Sequence, residues 1–490
     1  MTDSTKMDGK VSEDGASLPE ALYSQEGETQ GLAEKQRTSS FFTILASAFG
    51  LISDGYQNNL MTMSNVVFTT LYPDYYTSEV KTRVSNALLV GAVLGQVIVG
   101  VICDRLGRKF ALVGTTLMII LGGILGTAAH GAHGSVAGLF WFLTIARGIT
   151  GVGVGGEYPA SSTSASEAAN ERSISQRGPL FIMVTNFVLS FGGPLAVAVF
   201  LIVLSAAGED HLPTVWRVCF GIGILLPLTV FCFRVRMLTT KLYRDGAIKH
   251  RVPYVLSMKR YWRSLIGTCG AWFLYDFVTF PNGVFSGTII SSVVHDSDIK
   301  KTAEWQLLLG AIALPGVFVG AWLCNRLGRR NTMMLGFSGY LIFGLIIGCA
   351  YEKITHIIPL FIVFYGLMQS CGNMGPGNML GLVSAESYPT PIRGTFYGFS
   401  AAIGKVGAAV GTQAFTPIQE NLGKKWTFII AAICGVTGIV VTYLCVPDMT
   451  GVDLGDEDVA FMEYLSEKGW NGEVGEKEAV VSVDTASVKQ

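Results

Sequence analysis

Long apolar stretches alternate with short polar joints along the chain. Twelve stretches reach the ~20 residues that an α-helix needs to cross a bilayer: roughly 41–68, 84–103, 110–129, 138–161, 179–206, 215–236, 264–292, 305–324, 331–351, 356–384, 394–415 and 425–446. Several hold internal prolines and glycines, which predicts broken helices rather than a plain bundle. The joints sort by charge. With both termini on one side, the loops of that side (105–109, 172–177, 234–263, 326–330 and 393) hold eighteen Lys and Arg, and the opposite loops hold eight. Basic loops stay in the cytosol, so both termini are expected there. The pattern predicts an all-α membrane protein of twelve transmembrane helices in two six-helix halves, 41–236 and 264–446. A basic cytosolic linker, 237–263, joins them. The flanking stretches, 1–40 and 447–490, are acidic and poor in aromatics, and are expected to be solvated tails, disordered at least in part.

Composition narrows the class. The 490 residues are 50% hydrophobic and 14% charged, against about 25% charged in soluble proteins. The net charge of −1 implies no general attraction to nucleic acid. Nine cysteines form no CxxC or Cys/His cluster, and the six histidines lack ligand spacing. They read as packing residues rather than disulfides or metal ligands. No phosphate-cradling Walker loop or nucleophile–base frame is present, so neither an enzyme, a cofactor nor ATP drive is expected. Residues 1–37 are polar and acidic, so no cleaved leader is expected.

The halves repeat. The run Gly100–Lys109 (GVICDRLGRK) has a weaker copy at Ala321–Arg330 (AWLCNRLGRR), with Asn325 221 positions after Asp104. A second pair, Glu167 to Arg177 and Glu386 to Arg393, has its carboxylates 219 positions apart. Two agreeing offsets indicate an internal duplication.

Ionisable groups inside the apolar stretches are costly and mark function. Glu157 ends a glycine-rich run, Gly151-Val152-Gly153-Val154-Gly155-Gly156, and precedes Tyr158 and Pro159. The glycines let another helix or a substrate approach the backbone, and Pro159 removes a backbone donor. Asp54 carries Gln57 and Asn58 at i+3 and i+4, a polar stripe on helix 1. Arg147 and Tyr158, eleven residues apart, share nearly one face of helix 4, with Glu157 about 80° away. If helices 1 and 4 adjoin, Asp54 falls in depth between Arg147 and Glu157. Desolvation favours a protonated carboxyl and a nearby arginine an ionised one, so motion can toggle a proton. The alternative is a static ion pair that locks packing. Trp272, Asp276, Phe280 and Gly283 fall on one face of helix 7. Asn373 and Asn378 flank Pro376 in a glycine-rich break, either offering donors or only mending the helix.

The run at Gly100 resembles the loop 2–3 signature of the major facilitator superfamily, G-x-x-x-D-R-x-G-R-[RK], at every fixed position. The resemblance implies a conformational gate through Asp104, Arg105 and Arg108, with Arg326 in the copy. The copy departs from the pattern at Ala321 and Asn325, so the motif does not by itself imply a symmetric gate. Arg147 to Pro159, Ala160–Glu167, Trp272–Asp276, Asn373–Asn378, Glu386–Gly394 and Gly404–Ala408 are similar to signatures of the phosphate:proton symporter family, over about residues 40–446. The Glu-Tyr-Pro form, the compact central loop and the run Trp272–Ser286 look like its fungal glycerophosphoinositol permease branch.

That likeness implies proton coupling at Asp54 and Glu157, with Arg147 as partner. It implies a substrate site lined by Tyr158, Asn186, Trp272, Tyr275, Asp276, Asn373 and Asn378. Lys405 would meet the anion or neutralise Asp276. Where phosphate carriers have a helix 5 glutamine and a helix 7 tyrosine, this chain has Thr185–Asn186 and Phe280, which fits a larger substrate. The expectation is proton-coupled import of glycerophosphodiesters, glycerophosphoinositol or glycerophosphocholine, by alternating access at the plasma membrane. The alternatives are an inorganic phosphate:proton symporter and a transporter-like nutrient sensor. A sugar carrier of the family with Pro-Glu-Ser-Pro-Arg after helix 6 is not matched by Arg236–Lys241. Protons, an anionic phosphodiester and membrane lipids are the expected partners, and the chain is expected to act as a monomer.

Overall fold

In the computed structural model, residues 50–236, 241–248, 252–293, 298–470 and 472 are described. The expected tail 1–40 and the stretch from 473 lie outside them. Twelve long helices form: α1 (50–71), α2 (Ser78–Arg105), α3 (Arg108–Thr127), α4 (Val136–Arg172), α5 (Arg177–Ala207) and α6 (Leu212–Arg236). The second half holds α7 (Tyr254–Ser291), α8 (Ile299–Arg326), α9 (Arg329–Cys349), α10 (358–386), α11 (Arg393–Leu422) and α12 (Lys425–Cys445). Hydroxyls cap two of them: Thr77 accepts from Val80 N and Ser135 from Gly138 N, pairing donors that the first turn leaves open. The repeated Leu-Gly-Arg turn needs its glycine, since Gly107 and Gly328 take φ of +101° and +84°, where a Cβ is disfavoured.

Among the described residues, eight helices are long and apolar enough to cross a membrane: α2 to α6, α8, α9 and α12. The other four, α1, α7, α10 and α11, are of comparable length but more polar. They carry Asp54, Asp276, Asn378 and Lys405, all buried, so their polarity is spent inside the protein. A π turn at Asn373–Gly377 in α10 falls at Pro376, where interruption is expected. A second, Met183–Phe187 in α5, holds neither proline nor glycine, and Pro159, Pro194, Pro227, Pro281 and Pro417 sit inside continuous α-helix.

The glycine run of α4 is a packing seam. A Cβ on Gly151 would stand 3.0 Å from Leu88 Cα, and one on Gly155 would overlap the backbone of Ala92 on α2. On the other side, a Cβ on Gly153 would stand 2.8 Å from Ile119 N, and one on Gly156 2.8 Å from Thr115 Cγ2, both on α3. The run therefore brings helices together, as small residues do in bilayers, and lines no part of the cavity described below.

Among the described residues, 447–470 and 252–263 hold helix within the stretches read as tail and linker. A further helix, α13 (Leu454–Glu467), buries Phe461 and Leu465 against Tyr261, Tyr388 and Phe396, and α7 already begins at Tyr254. These residues pay for order with their own apolar cluster, which the acidic average of the stretch conceals. Asp453 caps α13 through Gly455 N at 2.9 Å and accepts from Asn170 Nδ2 of α4 at 3.0 Å. The Asn170 bond holds its carboxyl below the usual range, so the cap stays ionised near neutrality.

Because the α2–α4 seam has no room for side chains, Gly155→Val should lower the melting temperature of the purified protein by several degrees, for an overpacking cost of about 1–3 kcal/mol or more. An unchanged melting curve would show that the seam yields.

Candidate functional site

The face carrying Asp104 to Arg108 is sealed by buried ion pairs arranged with the repeat. Arg108 donates to Asp104 at 2.7 Å and to Glu167 at 2.8 Å. Arg393, from the other half, also reaches Glu167 at 3.1 Å. In the second half Arg329 donates to Asn325 Oδ1 at 2.7 Å and to Glu386 at 3.1 Å, and Arg177 crosses to Glu386 at 2.8 Å. Each glutamate thus holds one arginine of its own half and one of the other. Asn325 takes the place of Asp104 as the acceptor of the arginine four residues on, so this part of the ion-pair pattern repeats despite the departure in sequence. Asp104 additionally accepts from Gly394 N and Thr395 N, at 2.9 and 2.6 Å, at the start of α11. Arg105 and Arg326, which the motif put forward, are exposed and lie over Tyr254 and Trp322. The arginines in the seal are Arg108, Arg329, Arg177 and Arg393. A motif names residues, but helix rotation decides which of neighbouring arginines points inward.

The opposite face is closed by weaker contacts. Lys81 Nζ donates to Thr288 Oγ1 at 2.8 Å, Asn86 Nδ2 to Ala409 O at 3.2 Å and Thr62 Oγ1 to Gly283 O at 3.3 Å.

Between the halves lies a cavity lined from α1, α4, α5 and α7 to α11. Lys405 and Asp276, each about 2% exposed, pair at 2.8 Å. The ammonium also stands 3.9 Å from the centre of the Phe280 ring and 5.0 Å from that of Tyr158, a desolvated cation–π setting. Trp272 packs edge-on to Tyr397, Tyr275 stacks on Tyr340, and Thr279 bonds the Tyr340 hydroxyl at 2.7 Å. Tyr158, Asn186, Trp272, Tyr275, Asp276, Asn373 and Lys405 therefore line one cavity. Asn378 does not: its amide donates to Val317 O at 2.9 Å and accepts from Asn186 at 2.7 Å, tying α5, α8 and α10 together at the two π turns. Asn373 donates to Ala313 O of α8 at 3.0 Å, so part of its capacity ties α10 to α8.

Glu157 is fully buried. Its carboxylate accepts from both terminal nitrogens of Arg234 on α6, from Thr115 Oγ1 at 3.0 Å and from Ser161 Oγ at 2.9 Å. The expected partner, Arg147, instead donates to Val84 O at 3.2 Å. Ten residues of helix separate it from Glu157, about 15 Å at ~1.5 Å per residue, beyond its reach. Arg234 was counted with the basic loop 234–263, while the apolar stretch 215–236, with Phe231, Phe233 and Val235 around it, already carried the helix past it. Asp54 is also fully buried. Both its carboxyl oxygens lack a hydrogen-bond partner among the described residues. Glu157, Arg234 and Lys405 are the charges that act on it. The cavity also presents Asn58, Asn59, Gln306 and Gln369, of which the sequence reading singled out only Asn58, as part of the helix 1 stripe.

A helical molecule of two like halves, sealed on one face around a polar cavity at mid-depth, is built as a membrane carrier. Its fold matches the proton:xylose symporter XylE of E. coli bound to 6-bromo-6-deoxy-D-glucose, a major facilitator superfamily protein, with a TM-score of 0.73 at 16% identity over 86% of this chain and 99% of that one. Residues 40–461 match the sugar (and other) transporter family, and the chain belongs to it. It is 57% identical to glycerophosphoinositol permease 1 of Candida albicans, over 93% of this chain and 88% of the relative. It is 52% identical to glycerophosphoinositol transporter 1 of Saccharomyces cerevisiae, over 90% and 86%. The chain is a transporter and not an enzyme.

Arg234→Met strands a buried carboxylate, so the folded protein should lose about 3–5 kcal/mol and melt well below wild type. Adding Glu157→Gln should restore part of that loss. Equal melting of wild type and Arg234→Met would mean that the pair does not hold α4 to α6.

Proposed function

We propose that the chain imports glycerophosphodiesters, foremost glycerophosphoinositol, together with protons. The observation that carries this reading is Lys405, a buried cation at the cavity wall whose counter-ion, Asp276, a substrate anion can replace. The names of the two relatives support glycerophosphoinositol as the first substrate to test.

Charge balance supports the coupling. The buried set holds Arg234 with Glu157 and Lys405 with Asp276, and Asp54 between them without a hydrogen-bond partner. Holding Asp54 ionised without a partner would cost several kcal/mol, and a proton removes that cost. A monoanionic diester at Lys405 brings one negative charge. A low-dielectric site accepts it readily only if a carboxyl in the set is protonated, so a proton travels with the substrate. Asp54 and Glu157 are the carriers of that proton in this reading, with Arg234 in the role first expected of Arg147.

Alternating access follows from the two closures. The ion-paired face opens when water replaces the cross-half pairs, and the other when a few hydrogen bonds part. The excess of basic loops puts the ion-paired face and both termini in the cytosol, so the cavity loads from outside. Residence in the plasma membrane and action as a monomer complete the reading.

Cells lacking their own carriers and expressing the chain should accumulate radiolabelled glycerophosphoinositol at acidic external pH and lose accumulation with a protonophore. Robust phosphate uptake without diester uptake would sink the assignment. Asp54→Asn should abolish accumulation against a gradient while leaving exchange of internal for external substrate. Continued accumulation would remove Asp54 from the coupling. Lys405→Met should raise KM for the diester at least about tenfold, the loss of a charge-assisted bond worth ~1.5 kcal/mol or more. An unchanged KM would place the anion elsewhere.

A further inference from the structure

The polar lining of the cavity has two chemistries. One part holds the charges and rings around Lys405. The other is made of carboxamides on α1 and α8. Asn58 Nδ2 donates to Asp54 O at 2.9 Å and Asn59 Nδ2 to Gly55 O at 2.8 Å. A backbone carbonyl only accepts, so these bonds fix which end of each amide is nitrogen. Both NH2 groups are turned onto α1 itself, so these bonds leave the oxygens of two cavity-lining residues unused. Among the described residues, Asn58 Oδ1 and Gln306 Oε1 on α8 are buried and have no donor in reach. A buried acceptor without a partner is costly, so this part of the lining calls for donors.

The three side chains line the same cavity, Asn59 and Gln306 on either side of the Gly193–Pro194 step of α5. The Asn59 carboxamide lies 3.3–3.4 Å from where a Cβ of Gly193 would stand, and the adjoining Pro194 lies 2.9 Å from the corresponding point of Gly310, one turn from Gln306. Along α1, Asn58 and Asn59 stand one turn past Asp54, about 6–7 Å nearer the weakly closed face at ~1.5 Å per residue.

We propose that Asn58, Asn59 and Gln306 form a hydroxyl-reading subsite that selects a polyol head group. The inference rests on the diester reading above, with the anion at Lys405. A cyclitol ring offers hydroxyl donors to all three amide oxygens. A trimethylammonium head has neither N–H nor O–H and would leave those oxygens dry and unpaired, and the three residues supply no aromatic cage for it. A bare phosphate at Lys405 carries no head group to meet them. Selection therefore works by penalising the wrong head group as much as by binding the right one.

The test is uptake by proteoliposomes of the purified full chain, with glycerophosphoinositol and glycerophosphocholine measured on the same preparation so that loss of folded protein cancels in the ratio. Wild type should prefer the inositol ester. Gln306→Met and Asn58→Ala should each lower that preference roughly three- to tenfold, the value of one neutral hydrogen bond, chiefly through KM. An unchanged ratio in both variants overturns the subsite and leaves the diester reading standing. Wild-type uptake of phosphate with neither diester overturns both. A variant with no uptake is read by thermal shift with the two diesters, where a wild-type difference between the shifts overturns the subsite and equalised shifts support it.

Discussion

Glu167 and Glu386 each share two arginines, one from either half of the molecule, and the closed face depends on that sharing. Every partner is buried, so each carboxylate has lost its water and must be held by charge and hydrogen bonds. Such pairs return little net stability against well-packed apolar residues, yet losing one partner is expensive. They therefore act less as glue than as a condition: the halves either meet with all pairs made or part far enough for water to replace them. Asp104 strengthens the condition by binding the first amides of α11, where the helix dipole favours an anion. The α13 helix adds to it, since Asp458 holds Thr390 beside Arg393.

The same neutrality rule orders the centre of the protein. Arg234 answers Glu157 and Lys405 answers Asp276, while Asp54 has charges around it but no hydrogen-bond partner. Charges of both pairs act on Asp54, and in low dielectric such groups cannot change charge independently. In the proposed reading, a substrate anion, a proton and the conformation of the arginine-bearing helix are then linked quantities, which is the physical content of coupling. The glycine seam serves this arrangement indirectly. By bringing α2, α3 and α4 to backbone contact it lets Thr115 of α3 reach the Glu157 carboxylate, and it leaves no space there for water.

Much of this was legible. Apolar length marked the helices, and the four that fall short in apolarity are those carrying Asp54, Asp276, Asn378 and Lys405. The duplicated motifs carried the two glutamates and their arginines into equivalent places. Tyr158, Trp272, Asp276 and Lys405 stood out as polar or aromatic groups in apolar runs, and they meet at the cavity. Partner choice was not legible. Arg147 looked right by depth but lies too far along α4. Arg234 was counted only among the basic loop charges at the end of helix 6 and is the true ion-pair partner. Asn378 looked available and is consumed by Asn186 and Val317.

By itself the sequence determined which groups would be buried in the apolar segments and that the two halves repeat, because burial and duplication are written into periodicity and spacing. It determined the glycine turns at Gly107 and Gly328 as well, since only a residue without a Cβ takes those angles freely. Only the tertiary structure decided which arginine meets which carboxylate, that Asn325 accepts where Asp104 does in the other half, and that Phe461 and Leu465 order a helix in an acidic stretch. These outcomes depend on helix rotation and on the docking of one half against the other. An ion pair or hydrogen bond requires atoms within about 3 Å, while sequence spacing locates a side chain only to a face and a turn.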